Sequence, residues 1–108
     1  MAKAASCSTT SKQNSDAELL AMIRRCDELW REAERLDEKP NAASNARAIE
    51  LCREACVLEW KIVDAKVISP ESLAAKIRAI RRAEFDAEDM AAILDRLAID
   101  AERIAATR

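Results

Sequence analysis

The chain of 108 residues has no glycine, no histidine and no tyrosine. Glycine is the residue that tight turns and phosphate-cradling loops rely on, so its absence excludes nucleotide-binding loops of the Gly-rich kind. Without histidine the chain lacks the commonest general acid and base and the commonest metal ligand. Aromatic residues are few: Trp30, Trp60 and Phe85. No segment approaches the roughly 20 apolar residues of a membrane span. No excess of one charge points to nucleic acid or an anionic membrane, because the net charge is −2.

What the chain does have is alanine, 23 of its 54 apolar residues, with nine leucines and nine isoleucines. Alanine has the best helix propensity and loses no side-chain entropy. It lets helices approach closely but buries little area per residue. The expectation is modest stability as a monomer and further burial between subunits.

Met1 to Ser15 is rich in Ser, Thr, Ala and Lys and has no apolar run, which reads as a disordered tail. Residues 16–108 read as a single helical domain. Ser15-Asp16-Ala17-Glu18 is a capping box, so a helix is predicted to start there. Leu19, Met22, Cys26, Leu29, Ala33 and Leu36 then alternate spacings of three and four, with Ile23 and Trp30 widening the stripe. Pro40 ends this helix.

A short polar link, Lys39 to Ser44, leads to a second helix predicted to begin near Ser44 or Asn45. Its stripe is Ala48, Leu51, Ala55, Leu58, Ile62 and Ala65. So short a link between two long helices favours an antiparallel hairpin. Ser69 with Pro70 opens a third helix, with Ile68 and Leu73 as a hydrophobic staple. Leu73, Ile77 and Ile80 are its expected core residues. Asp86 is a second cap, with Phe85 and Met90 as its staple, and a fourth helix follows through Ile93, Leu94, Leu97, Ala101 and Ile104. The rival is one unbroken helix over 70–106. The fold class is therefore all-α: a small helical bundle in which one or two further helices pack on an antiparallel hairpin.

Cys52 and Cys56 share a helix face, and the hairpin brings Cys26 level with Cys56. Three thiols could gather inside the hairpin as a metal or redox site. The preferred reading is core packing, since buried free cysteine behaves as a small apolar side chain and structural zinc wants four ligands. Lys76, Arg78, Arg81 and Arg82 form the one basic stretch. Arg78, Arg81 and Arg82 share a face that could contact phosphates, but no basic tail or interleaved aromatics accompany them. The stretch also reads as a solvated face between acidic segments. Carboxylate pairs such as Glu88-Asp89 suit helix first turns rather than acid–base work. Trp60 falls off the second helix's stripe, so it either anchors a partner or packs under a later helix.

Asp16-Ala17-Glu18-Leu19-Leu20 and Ser69-Pro70-Glu71-Ser72-Leu73-Ala74-Ala75-Lys76 resemble the helix openings of a loose group of short helical proteins of alphaproteobacteria. The resemblance covers about residues 16–104. It implies the hairpin-plus-helix architecture and carries no activity and no site residues.

These readings lead to one functional expectation. The protein is a non-enzymatic, cytoplasmic, bacterial interaction protein that binds an unknown protein partner or itself, with Trp60, Arg78, Arg81 and Arg82 as candidate contact residues. A nucleic-acid-associated role through the basic face is the alternative. No catalytic residue, cofactor, metal or small-molecule substrate is expected.

Overall fold

The computed structural model describes the backbone of residues 2–107 and the side chains of residues 16–107. Four helices follow one another: α1 (Ala2–Asp37), α2 (Ala42–Asp64), α3 (Pro70–Ala83) and α4 (Ala87–Ala106). No strand occurs among the described residues, and the fold class is all-α. α1 runs without a break through Ser15, where the capping pattern predicts a helix start. The tail predicted for residues 1–15 lies outside the side chains described.

α1 and α2 form the antiparallel hairpin. Its core is Leu19, Ile23, Cys26, Leu29 and Ala33 from α1 against Leu51, Ala55 and Ile62 from α2. Leu19, Leu29 and Leu51 are completely enclosed, each stabilising the fold by roughly 1.5–3 kcal/mol through removal from water. Ala33 and Ala55 sit among them, and their small size allows the two backbones to approach. Ile23, predicted as a flank, is in the core, while Met22 is half-buried. At this crossing the stripe is centred one residue away from a strict heptad seam.

The connection is shorter than predicted. Asn41 is the N-cap of α2: its side chain accepts from the Ser44 backbone N–H at 2.9 Å, and Ser44 Oγ accepts from the Asn41 N–H at 2.9 Å. The reciprocal bond makes Ser44 the third helical residue rather than the cap.

At its other end α2 cannot close on glycine, because the chain has none. It ends at Ala65 in an extended conformation. The carbonyls left without helical partners are taken by cationic side chains. Lys76 Nζ donates to Ala65 O at 2.7 Å, and Arg103 Nη1 donates to Val67 O at 3.3 Å.

Ser69 caps α3 with Pro70 in its first turn, as its sequence predicts. The Ser69 hydroxyl also donates to Asp16 Oδ2 at 2.9 Å, which ties the start of α3 to α1. α3 and α4 are separate helices. Glu84 takes up a left-handed conformation at φ 55° and turns the chain. Asp86 then accepts from the Asp89 N–H at 2.8 Å and caps α4. Phe85 and Met90 close over Val63, Ile80 and Ile93 in a second small core. The break between the two helices comes from capping and staple chemistry rather than from a helix-breaking residue.

Candidate interaction surface

Lys76 occupies the centre of the α3–α4 hairpin. Its side chain is 1 % exposed, and Nζ stands 2.6 Å from Asp100 Oδ2. Arg103 Nη1 reaches the other Asp100 oxygen at 2.9 Å. Two cations therefore share one carboxylate, and each also holds a carbonyl of the α2–α3 link. The sequence pattern assigned Ile77 to the core of α3, but the structure places Lys76 there and Ile77 outside. The Asp100 carboxylate and the Ala65 carbonyl supply the polar partners the buried Lys76 ammonium needs.

Ile77 joins an apolar groove whose floor, Leu73 and Ile104, packs against the α1–α2 core, while Ile77 itself is exposed. Pro70, Leu73, Ala74 and Ile77 of α3 line one side of a groove of about 370 Å³, with Ala101, Ile104 and Ala105 of α4 on the other. Toward the start of α4, Ala98 and Leu94 continue the same face, since the spacing 94, 98, 101, 105 alternates four and three. Leu94 is 58 % exposed. Leu94 and Ala101 were expected in the core, whereas the inward residues of α4 are Ile93, Asp100 and Ile104.

A second apolar patch lies on the side of α2 turned from α1. Ala48, Ile49, Cys52, Cys56 and Val57 line it, with Arg53, Asn45 and Asp37 at its edges. This placement corrects the idea of three thiols inside the hairpin. Cys26 is buried and donates weakly to Ala55 O at 3.8 Å, Cys52 is half-buried and Cys56 is exposed. Cys26 and Cys56 are level along the hairpin, yet Ala55 takes the inward position and turns Cys56 outward. Among the described residues no group of three or more Cys, Asp or Glu is placed to hold a metal ion.

Trp60 packs edge-on against Phe85, with ring centroids 4.9 Å apart and planes inclined by 65°. Part of the indole is thus used within the chain, and 41 % of the residue is exposed. Arg82 reaches Asp27 of α1 at 3.5 Å. Arg78 and Arg81 are exposed, and neither is ion-paired among the described residues.

Between α1, α2 and α3 lies a cavity of about 30 Å³, enough for one water. Cys26, Trp30, Glu59 and Arg82 line it among apolar neighbours. Trp30 Nε1–H donates to Glu59 Oε2 at 3.1 Å. Burial pushes the Glu59 carboxyl up from its ordinary value, against the indole hydrogen bond that favours its ionised form. Burial, reinforced by the charges of Glu59 and Asp27, pushes the Cys26 thiol up to about 11. Cys26 is therefore a neutral thiol at physiological pH, the opposite of an activated nucleophile.

Comparison with known protein families, with curated proteins and with solved structures finds no match to this chain. No helix among the described residues is long and apolar enough to cross a membrane.

Proposed function

We propose that this protein is a non-enzymatic helical interaction module, expected in the cytoplasm, that works by covering the outer face of its α3–α4 hairpin with another protein surface. The observation that carries this reading is that face itself. Leu94 and Ile77 stand exposed on it, and its other exposed α4 positions are alanines that permit close helix approach. Contiguous apolar surface of this kind is characteristic of contact sites, while isolated exposed leucines are not. Trp60, with its half-open indole at the edge of α2, is a further contact residue.

Chemistry is given no support by the residues. Among the described residues the one buried thiol, Cys26, has a raised pKa, and the buried Lys76–Asp100 pair is used up in holding the Ala65 carbonyl and Arg103. The nucleic-acid reading draws on Arg78 and Arg81 alone, since Arg82 is engaged by Asp27. Too few cations then remain for strong phosphate attraction.

The test compares the native size of the wild-type chain and Leu94→Glu in clarified extract of the source cells. The wild type is expected well above its monomer mass of 12.0 kDa, with Leu94→Glu falling toward that mass. A wild-type chain at monomer size would overturn the reading.

A further inference from the structure

The charges bordering the α3–α4 face select its occupant. Lys76 opposite Asp100 fixes the register of these antiparallel helices. Five residues onward on α3 is Arg81, and five residues back on α4 is Asp95, so these two lie level. At 100° per residue, Ser72, Lys76 and Ile80 point to the core, which sends Ile77 and Arg81 outward and Arg78 to the edge far from α4. On α4, Ile93, Asp100 and Ile104 point inward. Leu94, Ala98 and Ala101 then face outward, and Glu88, Asp95 and Glu102 line the edge far from α3. The outer edge of α3 carries Arg78 and Arg81 with one carboxylate, Glu71, and is basic on balance, while the α4 edge is uniformly acidic. None of these six charged residues is ion-paired among the described residues.

We infer that the occupant of this face is a second copy of the chain, related by a two-fold axis running along the groove. Only one two-fold orientation satisfies the charges. An axis across the groove sets arginine on arginine. An axis along it sets the basic edge of each copy on the acidic edge of the other, with Arg81 level with Asp95 twice over. The same operation lays α3 of one copy over α4 of the other in antiparallel sense, and the four helices close as a bundle. Ala98, Ala101 and Ala105 allow the close approach this needs, and Leu94 and Ile77 supply the projecting side chains. α3 is about 21 Å and α4 about 30 Å long, each about 10 Å wide, so each copy covers roughly 500 Å². Twice that is about the area a specific protein interface must clear.

This inference rests on the interaction reading above and adds the partner and the geometry. The test is sedimentation equilibrium of the purified full-length chain at low and moderate salt. The wild type is expected to dimerise, more tightly at low salt. Arg81→Asp and Asp95→Arg are each expected to weaken the dimer by roughly tenfold or more. The doubly exchanged variant Arg81→Asp/Asp95→Arg is expected to recover the dimer to within about threefold of wild type. Each substitution is at an exposed position, and an unchanged helical circular dichroism spectrum confirms the fold. A wild-type chain that stays monomeric when purified overturns the inference. If that same chain is large in extract and Leu94→Glu is not, the interaction reading survives with a different partner. A dimer indifferent to both single exchanges also overturns the proposed two-fold.

Discussion

Lys76 and Asp100 meet at 2.6 Å inside the α3–α4 hairpin, with side chains 1 % and 5 % exposed. The pair sets the register of the two helices, and through Ala65 O it fixes where α2 ends. A mispaired hairpin would strand one of these charges in an apolar environment, a cost of several kcal/mol.

The two partners are not equivalent, which gives a stability prediction. Asp100→Ala leaves the Lys76 ammonium with a single carbonyl, and is expected to cost about 3–5 kcal/mol. Lys76→Met leaves Asp100 paired with Arg103 and should cost less. The double change Lys76→Met/Asp100→Leu should recover part of the loss, because it strands no buried charge of the pair but leaves the Ala65 carbonyl without its donor and Arg103 without its carboxylate. Urea denaturation of the three variants measures this. An Asp100→Ala chain as stable as wild type would show that the pair contributes nothing.

Cysteine reactivity should follow burial. In the native protein a thiol-alkylating reagent is expected to modify exposed Cys56 ahead of half-buried Cys52, with Cys26 reacting only on unfolding. The raised Cys26 pKa means the fold holds that proton more tightly than the unfolded chain does. Its stabilising contribution is complete below an ordinary thiol value of 9.0 and is lost as pH rises through about 11. Cys26→Ala should flatten stability against pH in that window. Mass spectrometry of the labelled protein and alkaline denaturation curves test the two statements, and rapid labelling of Cys26 in folded protein would contradict both.

How much of this was legible in the sequence depends on which physics set each element. Asp86 and Ser69 announced their helix starts, since cap and staple residues act within a few positions of one another. The hairpin was legible because Pro40 and two apolar stripes bracket a short link. Nothing local marks Lys76 as buried, because lysine on an amphipathic helix is ordinarily outside. Its burial depends on Asp100, 24 residues away, and on carbonyls freed by the end of α2. The exposure of Ile77 has the same long-range cause, since an inward Lys76 turns Ile77 out, and an inward Asp100 does the same to Ala101 on α4. The sequence does not single out Asn41 as the cap, because Ser44, its reciprocal partner, is an equally good cap by composition.

Glu59 offers a pH signature of opposite character to an ordinary surface acid. Its raised pKa means that its contribution is most favourable below 4.5 and declines as pH rises and the buried carboxyl ionises. Glu59→Gln keeps an acceptor for the Trp30 indole and removes the charge. The variant is expected to be more stable than wild type near neutral pH, with the difference shrinking as pH falls toward 4.5 and absent below it. Thermal melts across this range measure it. A glutamine variant less stable at neutral pH would mean that the ionised carboxylate is favoured where it stands.

Glu84 carries the only positive φ of a non-glycine residue among those described. A left-handed conformation costs a residue with a Cβ roughly 1–2 kcal/mol. Glu84→Gly relieves that strain but also loosens the unfolded chain. The net expectation is a gain of a few tenths to about 1 kcal/mol. A loss of stability on chemical denaturation would show that the Glu84 side chain stabilises the turn.

The outer face of the α3–α4 hairpin as the working surface is tested most directly by site-specific photo-crosslinking in the source cells. A photoreactive residue at Ala98 is predicted to trap a discrete adduct that Leu94→Glu abolishes, while the same probe at exposed Arg24 on α1 traps none. Free chain alone from Ala98, or equal trapping from both positions, would contradict the account.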